Sequence, residues 1–349
     1  MRVSTVGQEL GVEAAAEPEV VRGRRGPVGA LAGGALLAVL GATWWTSPEA
    51  VPGIAVPPPL VEYGLPVARL VLVLCALAAV GLSLLPKLVG FDEPERTERV
   101  LGRAREWAVV AAFGWAVAAL AAMVFGAAEV MPGQVPDPGA YVELIGSGQG
   151  LVISAACALV FTFFALLAVR FGEKVPAELR VLVAGFGLLP LPVSGHASNW
   201  YWHDLSMVSM ELHVIGASAW TGGLLALAVL LAGRRDLLAR ALPRFSRLAT
   251  AALVVVTLSG LFNALVELAL SPTTTLPGSL LTTHYGRLVV LKTLLAAVVA
   301  VAGAHIRWRL LPAVRSGRPA AFAAWATVEL TVMGLAYGVA VALTRAPVA

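Results

Sequence analysis

Apolar residues are laid out along this chain in long unbroken runs, separated by short polar connections. The runs lie near 27–46, 66–86, 107–128, 149–169, 179–195, 205–232, 245–270, 287–305 and 321–343. Each approaches or exceeds the roughly 20 residues that a helix needs to cross a hydrocarbon core of about 30 Å. Neither a strand period nor a narrow amphipathic stripe organises them, so the pattern predicts an all-α polytopic bundle with about nine spans. The fifth run is interrupted by Pro190 and Pro192. Proline within a membrane helix is tolerated where neighbours satisfy the freed carbonyl, so a kinked span is expected there.

Charge gives the bundle an orientation. The N-terminal arm and the connections 87–106, 170–180, 233–247 and 306–320 hold 21 of the 25 Lys and Arg residues, whereas 47–65, 130–148, 196–204 and 271–286 hold none. Basic connections stay on the cytoplasmic side, which predicts a cytoplasmic N-terminus and a C-terminus outside. An odd number of spans agrees with that. Residues 1–26 are polar and end in Arg22, Arg24 and Arg25, so they read as a cytoplasmic arm before an uncleaved anchor. Segment 27–147 then reads as three spans with their loops, and 148–345 as a second transmembrane unit with its core at 205–343.

Composition narrows the class further. Hydrophobic residues make up 58% of the chain and charged residues 13%, with a mean hydropathy of +0.83. That charge is about half of what coats a water-soluble domain, so lipid must solvate much of the surface. The pI near 9.4 does not signal nucleic acid, because the bases are scattered through topogenic loops. Cys75 and Cys157 each lie inside an apolar run, without Cys-x-x-Cys spacing, and read as packing residues. The outer connections "TSPEAVPGIAVPPPLVEYG" and "EVMPGQVPDPGAYVELIGS" are Pro-rich and anionic, and do not read as folded domains.

The topology also sorts the chemistry. His196 and His203 fall in the outer connection "GHASNWYWHD", His213 lies in the outer half of span six, and His284 ends the outer loop before span eight. Only His305 falls at the cytoplasmic end. Met207, Met210 and His213 recur every third residue, which keeps them on one side of the helix. Thioether and imidazole donors together suit a soft ion such as Cu(I). A methionine pair on an apolar helix is more often packing, and a lone intramembrane histidine is often a hydrogen-bonded core residue. Their company, with His203 and Asp204 just above and His196 across the loop, favours a site. Ionisable groups in the bilayer are costly and default to function, which singles out Glu211, Glu267, Lys292 and Glu329. Glu267 and Lys292 fall at similar depth and could simply pair. Glu329 lies in the inner half of span nine, where it could mark a cytoplasmic exit. Trp200, Tyr201 and Trp202 form an interfacial belt. The small residues in "GASAWTGG" and "SGLFNA" read as helix–helix contacts.

Several segments resemble the copper resistance protein D (CopD) family: "ELHVIGASAWTGGLLAL" (211–227), "RFSRLATAALVVVTLSGLFNAL" (244–265), "LLTTHYGRLVVLKTLL" (280–295) and "AHIRWRLLP" (304–312). The likeness is strong over about 205–343 and weaker over 148–204, where "SGHA" fits. The resemblance implies copper transport across the bacterial inner membrane, mostly as uptake, with a periplasmic copper-binding partner of the CopC type. His196, His213, Asn263, His284 and Lys292 are the positions that match family motifs. His203, Met207 and Met210 come from the residue pattern alone. Copper, as Cu(I) or Cu(II), would be the substrate of a secondary permease, because no ATP-hydrolysing motif is present. Segment "LHVIGASAWTGGL" is also similar to membrane protoporphyrinogen oxidases of the HemJ type, which leaves a haem-binding oxidoreductase as the alternative. A copper-related assembly factor is another, and homo-oligomerisation is open.

Overall fold

The structure, a computed structural model, describes residues 17–47, 55–90, 93–190, 203–271, 275–305 and 320–346. Within them the chain forms eleven α-helices and a short 3-10 turn: α1 (Glu17–Thr46), α2 (Pro59–Val89), α3 (Pro94–Val130), α4 (Pro138–Leu144), α5 (Gly146–Phe171), the turn Gly172–Lys174, α6 (Ala177–Leu188), α7 (His203–Leu230), α8 (Arg235–Leu270), α9 (Ser279–Thr282), α10 (His284–His305) and α11 (Ala320–Leu343). Eight of these are long and apolar enough to cross a membrane.

The chain punctuates its helices where local chemistry demands. Proline opens α2, α3 and α4, where its missing N–H costs no intrahelical bond. Gly90 (φ +90°) and Gly172 (φ +64°) close α2 and α5 in backbone conformations that L side chains avoid. Asp137 caps α4, its carboxylate accepting from the amides of Gly139 and Ala140. That short helix gives the 130–148 connection more structure than its Pro-rich sequence suggested.

Two expectations about spans need adjusting. Several helices run well past the hydrocarbon: α3 starts at Pro94 and not 107, and α8 at Arg235 and not 245. At 1.5 Å per residue, the 37 residues of α3 reach about 55 Å, so its basic turns stand clear of the core. The fifth span is described over its first part. Helix α6 ends two residues short of Pro190, with Leu189 still at helical angles, and Pro192 and His196 lie outside the described residues.

Helix α2 is the hub, touching α1, α3, α6, α7, α8 and α11, while α3 packs on α5 and α1 on α11. Two of these crossings are set by glycine. A Cβ on Gly81 of α2 would strike the Gly222 backbone of α7, and one on Gly222 would strike the Leu77 carbonyl. Gly334 and Gly338 of α11 likewise lie against the backbone of α1 at Leu31 and Ala35. Lipid gives apolar helices no hydrophobic drive to associate, so close backbone approach and dispersion must supply it. The prediction that "GASAWTGG" makes a helix–helix contact is met at Gly222.

The outward faces are apolar too, with Val110, Phe113, Leu159 and Phe163 each at least 59% exposed. Such a belt is stable only against acyl chains. Among the described residues the basic connections gather at one end, where Lys87 pairs with Glu178, Arg240 with Glu93, and Arg105 with Glu98 and Glu173. The described parts of the base-free connections lie at the other. There Arg345 pairs with Glu129 and donates to the Glu62 carbonyl at 3.1 Å. That carbonyl lacks an intrahelical donor because Pro66, four residues on, has no N–H.

Candidate functional site

The polar groups of the membrane interior concentrate on α7 and the helices facing it. His213 lies between α7 and α8, its Nδ1 3.0 Å from the Val256 carbonyl and 3.2 Å from the Ser259 hydroxyl. A carbonyl only accepts, so Nδ1 carries the proton and Nε2 presents its lone pair. Ser259 fits this assignment, because its hydroxyl donates to the Val255 carbonyl at 2.5 Å and keeps its own lone pairs for Nδ1. Gly260 makes the seat. A Cβ there would stand 3.0 Å from Cε1 and 3.3 Å from Nδ1 of the ring. The sequence "SGLFNA" is therefore a helix contact, as expected, and also the cradle of an imidazole.

One turn nearer the base-free end, the Asn263 amide nitrogen lies 3.9 Å from the Met210 sulfur. The Asn263 carbonyl oxygen is buried without a hydrogen-bond partner. Ser209 reaches the Ser259 carbonyl at 3.4 Å, completing a seam between α7 and α8. Imidazole nitrogen, thioether sulfur and amide oxygen are neutral donors, and the first two suit a soft cation.

Lys292 of α10 is half-buried and close enough for its charge to act on the His213 ring. The suggested Glu267–Lys292 pair is not formed among the described residues. Glu267 is buried beside Tyr285 instead, seven residues before Lys292 on the same helix α10. The physical reason is register: the last turns of α8 meet the first turns of α10, around Tyr285 and Val289, and the two helices scarcely touch beyond that.

The other expected ligands scatter. His284 opens α10 and meets Trp45 of α1 edge to face, with ring centroids 5.9 Å apart and its Nδ1 buried without a partner. His196 and the side chain of His203 lie outside the described residues. Met207 and Glu211 are half-buried on α7, and no hydrogen bond joins either to the His213 seam. Among the described residues no three of His, Cys, Asp and Glu converge as a metal cage. Of the six ligands expected from sequence, His196 and the His203 side chain fall outside the described residues; among the rest, the fold sets His213 and Met210 along the seam with Asn263, while His284 lies against Trp45.

A second polar group lies nearer the basic end. Glu329 of α11 is 3% exposed and faces the Trp220 indole, which donates to its carboxyl. Beside it the Thr221 hydroxyl points at the Met333 sulfur, 3.4 Å away, and Tyr337 lies against Ser218 and Thr221. Sequence reasoning found Glu329 but missed Ser259, Gly260, Thr221 and Met333. The Ser-Gly pair one turn before Asn263 was the available signal.

Helices of membrane length, an apolar belt and a polar seam inside the bundle define a multi-pass membrane protein. The chain belongs to the copper resistance protein D family: residues 239–343 match the family described as copper resistance protein D, and residues 60–204 match the copper resistance protein D-like N-terminal domain. A curated relative, the inner membrane protein YebZ of Escherichia coli (strain K12), is 36% identical over 122 residues. That stretch is 33% of this chain and 40% of the relative, so the chain spans about two fifths of the relative's length. No solved structure matches the chain.

Proposed function

We propose that this protein is a secondary permease that carries copper through the bacterial inner membrane, as Cu(I) and toward the cytoplasm. The observation that carries this reading is the His213 imidazole, fixed by its Nδ1–H on the Val256 carbonyl so that Nε2 is free to bind. A metal-binding histidine is typically oriented through its other nitrogen in this way. Met210 and Asn263 add a soft and a neutral donor one turn away. The family's name and the inner-membrane relative support the cargo and the location.

By the positive-inside rule the basic end faces the cytoplasm, which puts the His213 seam in the outer half and Glu329 in the inner half. Copper would then arrive near His196, His203 and His284, descend past Met207, Met210 and His213, and leave by way of Glu329. A cell interior negative by 100 mV favours entry of a monovalent cation by about 2.3 kcal/mol, so import needs no nucleotide. A periplasmic protein of the CopC type would deliver the ion.

The test is copper binding and flux in proteoliposomes, comparing the wild type with His213→Ala and His196→Ala. Bound Cu(I) and flux should both fall at least tenfold in His213→Ala. Unchanged flux would return these histidines to structure. A Soret band in the purified protein, with no copper bound, would hand the site to haem.

A further inference from the structure

At the basic end a cavity of about 450 Å³ opens between the start of α3 and the α7–α8 turn. Five arginines and three carboxylates line it. Part of this charge is already spoken for: Arg240 pairs with Glu93, Arg96 lies 3.2 Å from the same carboxylate, and Arg234 turns back to the Leu230 carbonyl at 3.1 Å. Arg99 and Arg235 are different. Both are exposed, and among the described residues neither makes an ion pair. Two guanidinium groups from two separate helices therefore line one cavity without an ion pair to the Glu95 and Asp236 carboxylates that share it.

What lies beneath Arg99 identifies the ligand. On α3, Arg99 and Arg103 head a file that passes through the exposed Glu106 and then Val110, Phe113, Val117, Leu120 and Val124, at alternating spacings of four and three. These five apolar side chains are 46–70% exposed. A cavity with more arginines than carboxylates thus sits at the head of a file that turns apolar and outward-facing from Val110 onward, on one face of one helix. A free anion would use only the first feature. An anionic amphiphile uses both.

We propose that this is a binding site for an anionic phospholipid, with its headgroup phosphate held between Arg99 and Arg235 and its acyl chains laid along the α3 stripe. Guanidinium presents paired donors that match phosphate oxygens, and a low-dielectric boundary strengthens the contact. Basic pockets between membrane helices on the cytoplasmic side recognise acidic headgroups by this chemistry. Such a lipid would bridge α3 to α8, adding to the Arg240–Glu93 pair that already links them.

The experiment is native mass spectrometry of the full-length protein, released from micelles carrying equal phosphatidylglycerol and phosphatidylcholine. Phosphatidylglycerol should be retained preferentially, and Arg99→Gln and Arg235→Gln should each weaken that preference about fivefold. Both arginines are exposed, so the melting temperature should not move. No preference in the wild type, or the same preference in both variants, would overturn the proposal. A third arm separates the source of the phosphate: short-chain phosphatidylglycerol and inorganic phosphate should hold far more weakly than the long-chain lipid. Equal retention of inorganic phosphate would reveal a free-anion site and also overturn it.

Discussion

Helices α2 and α7 touch backbone to backbone, whereas α8 and α10, which flank the same polar seam, scarcely meet. In α7, 61% of the membrane window is buried; in α8 and α10 the share is 17% each. The difference follows from residue size. Gly81 and Gly222 let two helices close to contact, while Val254, Leu258, Leu261, Leu291 and Leu294 turn outward to lipid. His213 hangs from the packed side and leans on the loose one. A path for an ion must open and close, and the element with few packed partners is the one that can move at small cost. The comparison thus assigns α1, α2, α3, α7 and α11 to a fixed frame and α10 to a movable wall, with α8 between them, packed along α7 on one side and open toward α10 on the other.

The strongest blow to that division is a side chain in the frame. Gly222→Leu would drive Cβ into the Leu77 carbonyl, and neither backbone can yield without parting the helices. Overpacking costs typically 1–3 kcal/mol, and this site belongs at or above the top of that range. Loss of the monodisperse peak, or a large drop in melting temperature in detergent, is the expected readout. A well-folded Gly222→Leu would mean that α2 and α7 are not the frame.

The seam should respond differently. Gly260→Ala sets a Cβ 3.0 Å from the His213 ring, which must then give up its seat on Val256 and Ser259. Disturbing the groups that orient a metal-binding histidine typically costs 10–100-fold in affinity. Cu(I) affinity, measured by competition with a chromogenic chelator, should fall at least tenfold while the melting temperature holds. A fall in both together would blur frame and seam.

How much of this was legible beforehand depends on the range of the interaction. Eight of the nine expected spans appear as helices of membrane length among the described residues, and these, with the gathering of the described basic loops at one end, follow from hydropathy and charge, which each segment carries by itself. The Gly222 contact was readable because small residues in an apolar run have few other uses. The Glu267–Lys292 pair failed because depth along two helices says nothing about their rotation or separation. The role of Gly260 was hidden for the same reason: its neighbour is 47 positions away in sequence, on a helix whose phase no local pattern reports. Met333 and Thr221 look like ordinary bundle residues until α11 is placed against α7.

A milder change in the frame tests the division from its other side. The Trp115 indole on α3 donates to the Ser154 hydroxyl on α5 at 2.9 Å, and both groups are buried. Ser154→Ala would orphan that N–H at a cost of about 1 kcal/mol. The melting temperature should drop by a few degrees, with Cu(I) affinity unchanged. An altered affinity would show that the frame and the seam are coupled after all.

The smallest effect concerns the fastening of α8 to the frame. Glu93, just before α3, is held below the usual carboxylate value of 4.5, chiefly by its hydrogen bond to Arg240 of α8 and also by Arg96. A carboxylate depressed in the folded state contributes stability that is complete above 4.5 and lost as pH falls through the folded value. Both side chains are partly exposed, so water and salt screen the pair and the gain is slight. Its location gives it meaning, since protonation frees the basic end of α8 and leaves the α2–α7 crossing untouched. Hydrogen exchange in the first turns of α8 should therefore quicken, relative to α7, as pH drops below 4.5, and Glu93→Gln should show that faster exchange already at neutral pH. Equal acceleration in α7 would mean that α8 and the frame loosen together, and the distinction between them would fall.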